Sequence, residues 1–217
     1  MTKKQIIKKT ASFVKKRLSG EGTGHDWWHV FRVWRNAVTI GKKEKADLFV
    51  VELAALLHDI ADWKFTDGDT SVGSNISQRW LKKMGVERVV IEHVCHIVEE
   101  VSFKGAKVKS KIKTLEGRVV QDADRLDALG AIGVARTFAY GGHSGRIMHS
   151  PDIRPVAHTS FKKYFNGQST SINHFYEKML LLKGLMNTRA GKMIAEKRHE
   201  FTKQFLNKFL KEWDGRD

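Results

Sequence analysis

Apolar residues recur three and four positions apart along nearly the whole chain, the spacing that lines one side of a helix. Ile6, Ile7, Phe13, Val14 and Leu18 make one such set, and Val30, Val33, Trp34, Ala37 and Val38 another. Val90, Val94, Ile97 and Val101, and again Phe175, Met179, Leu182 and Met186, follow the i, i+4, i+7, i+11 stripe of a helix packed on a core. Near the end, Phe201, Phe205, Phe209 and Trp213 fall at every fourth residue and Leu206 and Leu210 widen the stripe, a pattern of core packing rather than of a ligand box. No segment alternates convincingly with period two, so the pattern predicts an all-α helical bundle. Periodicity fails between Tyr140 and Ser171, where Pro151 and Pro155 gather with Gly141, Gly142, Gly145 and Gly167. This predicts a long loop at about 140–171, of the kind that serves as a lid, a binding loop or a disordered segment. With no internal repeat, low-complexity tract or compositional break to mark a linker, residues 1–217 read as a single domain.

Composition narrows the class. At 217 residues, 41% hydrophobic and 29% charged, the chain can bury a core and lies outside the disordered range. The single Cys95 excludes an intrachain disulfide framework and a cysteine zinc cage, and points to a reducing compartment. The first twenty residues carry lysines throughout and lack the apolar run of an export signal. The most apolar stretch, Leu48 to Leu57, is broken by Glu52 and too short to span a bilayer. The expectation is a soluble, cytoplasmic protein without a membrane partner. Thirty-nine Lys and Arg against 24 Asp and Glu leave a net charge of +15, which attracts polyanions at low salt. A specific nucleic-acid reader would add a recognisable module, and no zinc finger, aromatic sheet signature or basic coiled-coil entry is present, so the charge by itself names no partner.

The chemistry concentrates in Leu56-Leu57-His58-Asp59-Ile60-Ala61-Asp62, where an imidazole and a carboxylate stand side by side at the end of a strongly apolar helix. If the helix continues, His58 and Asp62 are i and i+4 and Asp59 and Asp62 are i and i+3, so the three converge on one patch. Burying uncompensated carboxylates is costly, whereas a divalent cation neutralises them and uses their lone pairs. His29, in His25-Asp26-Trp27-Trp28-His29-Val30, and Asp124, in Val119-Val120-Gln121-Asp122-Ala123-Asp124-Arg125-Leu126-Asp127, resemble that setting, each beside an apolar helical stripe.

On these residues the sequence resembles the HD-domain metal-dependent phosphohydrolases. Their pattern of a His, an adjacent His-Asp pair and a distant Asp is matched by His29, by His58 with Asp59, and by Asp124. The flanks resemble a subgroup of small single-domain bacterial HD hydrolases: Leu57-His58-Asp59-Ile60-Ala61-Asp62-Trp63-Lys64-Phe65, Asp122-Ala123-Asp124-Arg125-Leu126-Asp127-Ala128-Leu129-Gly130-Ala131 and Ser171-Ile172-Asn173-His174-Phe175-Tyr176-Glu177-Lys178. The resemblance implies a helical bundle with one divalent metal held by His29, His58, Asp59 and Asp124. It also implies hydrolysis of a phosphoanhydride, since the subgroup includes nucleoside-triphosphate pyrophosphohydrolases. A mixed nitrogen and oxygen donor set suits Mn²⁺, Fe²⁺, Co²⁺, Ni²⁺ or Zn²⁺; Mn²⁺ is the ion expected, with the others and Mg²⁺ as alternatives. Asp62 is then the group expected to orient the attacking water or take its proton.

Further residues are candidates for holding substrate. Lys64, Lys104, Arg125 and Lys178 are cations of the kind that clamp polyphosphates. Asp127 lies i+3 from Asp124 and could hold a water or a ligand imidazole, while His174 and Lys178 form an i, i+4 pair beside a core stripe. His93 and His96 lie where two-metal relatives carry extra ligands, but the sequence offers them no partners, and they read as structural. Asp62-Trp63 stands where the alarmone-hydrolase branch has paired acids, which argues against a tetraphosphate alarmone. The expected partner is a phosphorylated small molecule, a nucleotide. Rival readings are a cyclic-nucleotide or nucleic-acid phosphodiesterase and a basic nucleic-acid-binding helical protein. The sequence leaves the oligomeric state open.

Overall fold

A computed structural model describes residues 1–19, 26–61, 71–102, 110–156 and 169–216. Its elements are helical throughout: α1 (Lys3–Arg17), α2 (Trp27–Glu44), α3 (Leu48–Leu57), α4 (Ser71–Lys83), α5 (Arg88–Glu100), α6 (Leu115–Asp127) and α7 (Gly130–His143). After α8 (Ser171–His174) come a π-helical stretch, Phe175–Met179, and two short turns, Leu180–Leu182 and Lys183–Leu185, before α9 (Arg189–Trp213). Among the described residues there is no strand, so the all-α expectation holds. None of the described helices is long and apolar enough to cross a membrane. The helix starts follow capping chemistry: Thr2 and Gln5 form a reciprocal capping box, and Asp26, Asp47, Thr170 and Thr188 each accept a backbone N–H of the first turn they precede.

The chain divides into two compact units, residues 1–102 with 110–124, and residues 103–109 with 125–217. In the first, α3 is the central element, packed by α1, α2 and α5, while α4 packs on α5. Eight of its ten residues are buried, and Val51, Leu53, Ala54, Ala55, Leu56 and Leu57 have no exposed surface. Each buried Leu contributes about 1.5–3 kcal/mol, so this short helix is held by burial all round rather than along one stripe. Its Glu52 accepts the Trp34 indole N–H at 2.8 Å, which satisfies a carboxylate inside an apolar run. Trp80 of α4 stacks on Phe13 of α1 with centroids 4.1 Å apart and donates to Thr10 Oγ1 at 3.0 Å. Two polar ties fix α6 in this unit: Glu116 accepts the Asp47 N–H at 3.0 Å, and Gln121 donates to the Val101 carbonyl at 3.3 Å.

In the second unit Val134, Ile172, Phe175, Met179 and Leu206 form the core, with Phe138, Phe205, Phe209 and Leu210 packed against it. The predicted aromatic stripe of α9 is therefore correct in its middle, but Phe201 and Trp213 are 44% and 47% exposed. A spacing of four gains about 40° per step on a 3.6-residue repeat, which turns the ends of a long stripe away from the core. The predicted loop begins later than the glycines suggested, because α7 carries Gly141 and Gly142 and runs to His143. An added Cβ at Gly141 would stand 2.3 Å from Ser171 Oγ, so that glycine permits a close approach within a helix rather than a bend. The described parts of the loop are tied down: the Ile147 and Met148 carbonyls accept the Ser171 and Ile172 N–H groups, and buried Glu177 accepts both the Val156 N–H and the Ser169 hydroxyl.

The same unit buries a charge. Asp127 is 1% exposed and pairs with Arg136 at 3.0 Å, while Arg198 donates to the Leu126 carbonyl at 2.6 Å. Removing Arg136 takes the paired cation from a buried carboxylate, so Arg136→Ala should cost about 3 kcal/mol, whereas Arg88→Ala, in a fully exposed α5 pair, should leave stability essentially unchanged. Thermal and urea unfolding of the two variants measures the contrast.

Candidate metal centre

His29 sits in the first turn of α2, oriented by its own N-cap: Asp26 Oδ1 accepts the His29 N–H at 2.9 Å. His58 and Asp59 follow α3 directly, and here the structure departs from the helical spacing expected for them. The helix ends at Leu57 and passes into a turn closed by the Ile60 N–H on the Leu57 carbonyl. His58 keeps helical backbone angles while the hydrogen bonding tightens to an i, i+3 turn, and both side chains reach the neighbourhood of His29. Arg17 of α1 braces that turn by donating to the Ile60 carbonyl at 3.2 Å. Asp124 comes from α6, one turn beyond the tie made by Gln121.

The four side chains converge. His29 Nε2 lies 3.2 Å from His58 Nε2, 3.4 Å from Asp59 Oδ2 and 3.5 Å from Asp124 Oδ1. His58 Nε2 lies 3.9 and 3.8 Å from the same two oxygens. His29, His58 and Asp59 are buried, and the Asp124 side chain is 24% exposed. His58 Nδ1 is 2.9 Å from the Ala55 carbonyl, which can only accept, so Nδ1 carries a proton and Nε2 is the nitrogen left to offer a lone pair. That lone pair, together with two carboxylates, makes a buried cluster of electron-pair donors, unfavourable unless a cation lies among them.

These residues fit a divalent ion. Donors about 2.1 Å from a shared ion stand about 3.0 Å apart at right angles and about 3.4 Å apart in a tetrahedron, close to the observed separations. The N₂O₂ set is one that divalent transition metals accept, and the Ala55 carbonyl supplies the outer hydrogen bond that fixes a ligand imidazole. Among the described residues, His29, His58 and Asp59 form the group able to hold a metal. Beside it, His58, Asp59, Ala61, Gly73, Val98, Glu99 and Ser102 line a small hollow.

Residues 27–129, which contain all four donors, match the family model described as HD domain. The chain belongs to the HD family. Bacillus subtilis YpgQ is 39% identical over 209 residues, covering 95% of this chain and 93% of that protein. The structure of YpgQ in complex with ADP aligns with a TM-score of 0.74 at 33% identity, covering 97% of this chain and 100% of that one. An HD-superfamily hydrolase from Bacillus thuringiensis is 43% identical with a TM-score of 0.77, and a Lactobacillus plantarum protein is 34% identical with a TM-score of 0.87. Each of the two covers 99% of this chain and 100% of its own. The protein is a metal-dependent phosphohydrolase of the HD superfamily, with a His-His-Asp group that can hold a divalent ion.

The other residues singled out by sequence fall in different places. Asp62, Lys64 and Lys104 lie outside the described residues. Arg125 is buried and donates to the Leu185 carbonyl. Asp127 holds Arg136, and His174 and Lys178 are half-buried, the first just before a π-helical stretch and the second within it. Arg125, Asp127, His174 and Lys178 all belong to the second unit, and the four donors to the first. His93 Nε2 lies 2.9 Å from Thr114 Oγ1, and His96 is exposed. Sequence reasoning missed Glu99, Arg17 and the Ala55 carbonyl. Only the Asp26 cap, three residues before His29, left a readable signal.

Alanine at His58 or Asp59 should weaken divalent-metal binding by more than about 100-fold while leaving helicity intact, since ligand loss exceeds the effect of losing an outer hydrogen bond. In the wild type, metal at about 100 times its Kd should add about 2.7 kcal/mol of stability that a chelator removes. Metal titration and melting with and without chelator check both; a variant binding metal like the wild type would remove that residue from the site.

Proposed function

We propose that this protein hydrolyses a phosphoanhydride bond of a nucleotide, converting a nucleoside triphosphate to the monophosphate and pyrophosphate, with His29, His58, Asp59 and Asp124 holding Mn²⁺. The observation that carries the reading is the ADP complex of YpgQ, a relative similar over nearly the whole of this chain, joined to a donor group suited to a phosphohydrolase metal. When bound, the ion supplies Lewis acidity that activates water and polarises a phosphoryl oxygen.

The chain's own residues do the rest. Asp62 takes the proton of the attacking water. Lys64, Lys104, Lys178 and His174 hold the phosphates, as a polyanion requires. Arg125 and Asp127 already bind Leu185 and Arg136, which suits them to fixing the chain around the substrate. The net charge of +15 raises the local concentration of anionic substrates and makes capture salt-sensitive.

Chromatography of the products of a deoxynucleoside triphosphate with Mn²⁺ should show the monophosphate and pyrophosphate. A diphosphate with orthophosphate would overturn the bond position, and an absence of turnover across nucleotides would favour a nucleic-acid-binding role. Asp62→Asn should retain the metal while kcat falls about 100-fold, the loss expected for a general acid-base group. Single-turnover kinetics with metal analysis separates this from a ligand defect.

A further inference from the structure

A small hollow lies beside the donor group. Its walls are the His58-Asp59 turn with Ala61, Gly73 of α4, and Val98, Glu99 and Ser102 from α5 and the residues just after it. It has room for about one water, and Asp59, Glu99 and Ser102 give that water the polar partners an enclosed water needs. Carboxylates on one small space repel a phosphate oxygen and favour a hydrogen-bond donor such as water. Glu99 is not among the residues whose donor atoms lie together within 4.8 Å, so its carboxylate does not extend the metal group.

We infer that this hollow seats the water consumed in hydrolysis, with Glu99 accepting one of its hydrogen bonds and Gly73 keeping the space open. The inference rests on the hydrolytic reading above and assigns the place of the nucleophile. The water oxygen forms the new bond to phosphorus, the bond from phosphorus to the leaving phosphate oxygen breaks with its electron pair on that oxygen, and one proton of the water passes to the base of the proposed function, the Asp62 carboxylate. Glu99 holds the second O–H, so that a lone pair stays directed. Cys95, which donates to the Ser74 carbonyl at 3.6 Å, ties α5 to α4 next to these walls; burial pushes its thiol pKa up, leaving it neutral.

Gly73 supplies a test that separates the water from the fold. A Cβ there would meet Val98 Cγ1 at 3.4 Å, the Ala61 carbonyl at 3.5 Å and Ile60 Cγ2 at 3.9 Å, ordinary contacts that include two walls of the hollow. Gly73→Ala therefore fits, places its methyl where the water would sit, and favours helix α4. Its melting temperature should equal or exceed that of the wild type and its bound metal should be unchanged, while kcat falls at least about 10-fold with KM held within about twofold. Glu99→Ala should match that kinetic loss, and Glu99→Gln, whose amide oxygen still accepts, should recover part of it. A high-resolution crystal structure of the wild type should show an ordered water between Glu99 and Asp59 that is missing from Gly73→Ala. Wild-type kcat in Gly73→Ala or Glu99→Ala, or a loss of kcat that tracks a loss of metal, would overturn the inference. A wild-type protein that turns over no nucleotide would refute the proposed function instead; the crystallographic water then tests the hollow by itself, and its absence overturns the inference.

Discussion

The first unit depends on the cost of holding two imidazoles and two carboxylates together away from water. His29, His58 and Asp59 lie inside the protein with donor atoms 3.2–3.9 Å apart. Such a cluster is stable only if strong packing holds its elements or a cation sits among its lone pairs. Burial of α3 on nearly every side supplies the packing, and a divalent ion among the donors would supply the rest. Folding and metal binding would in this way be coupled through the same few atoms.

Precision comes from polar contacts one step removed from the donors. Asp26 fixes the first turn of α2, the Ala55 carbonyl sets the His58 tautomer, Arg17 braces the turn after α3, and Gln121 places α6 one turn before Asp124. None of these groups would ligate a metal, yet each orients an element that carries a ligand. The second unit uses the same device without a metal: Asp127 is buried because Arg136 reaches it, and Glu177 because the Val156 N–H and the Ser169 hydroxyl do.

The end of α3 shows how local geometry decides chemistry. After Leu57 the backbone tightens into a turn closed by the Ile60 N–H on the Leu57 carbonyl, and the hollow lies between that turn, α4 and α5. Two adjacent donors and a polar space beside them thus sit at the end of one buried helix.

Much of this was legible in the sequence, because helix periodicity and side-chain chemistry are local properties. The stripes of α5 and of residues 175–186 and the buried apolar α3 follow from residue type and spacing, while His29, His58, Asp59 and Asp124 stood out as one set through the resemblance to the HD phosphohydrolases. What the sequence could not reveal depends on elements distant along the chain. The i, i+4 relation expected from His58 to Asp62 assumed a helix that stops one residue earlier, and the aromatic stripe of α9 overran its core at Phe201 and Trp213. The pairing of Asp127 with Arg136 competes with the role its spacing to Asp124 suggested, and Glu99 has no distinguishing neighbour in sequence. Its place beside Asp59 arises only because α3, α4 and α5 pack together, and that packing is set by burial summed over three helices, which no local spacing encodes.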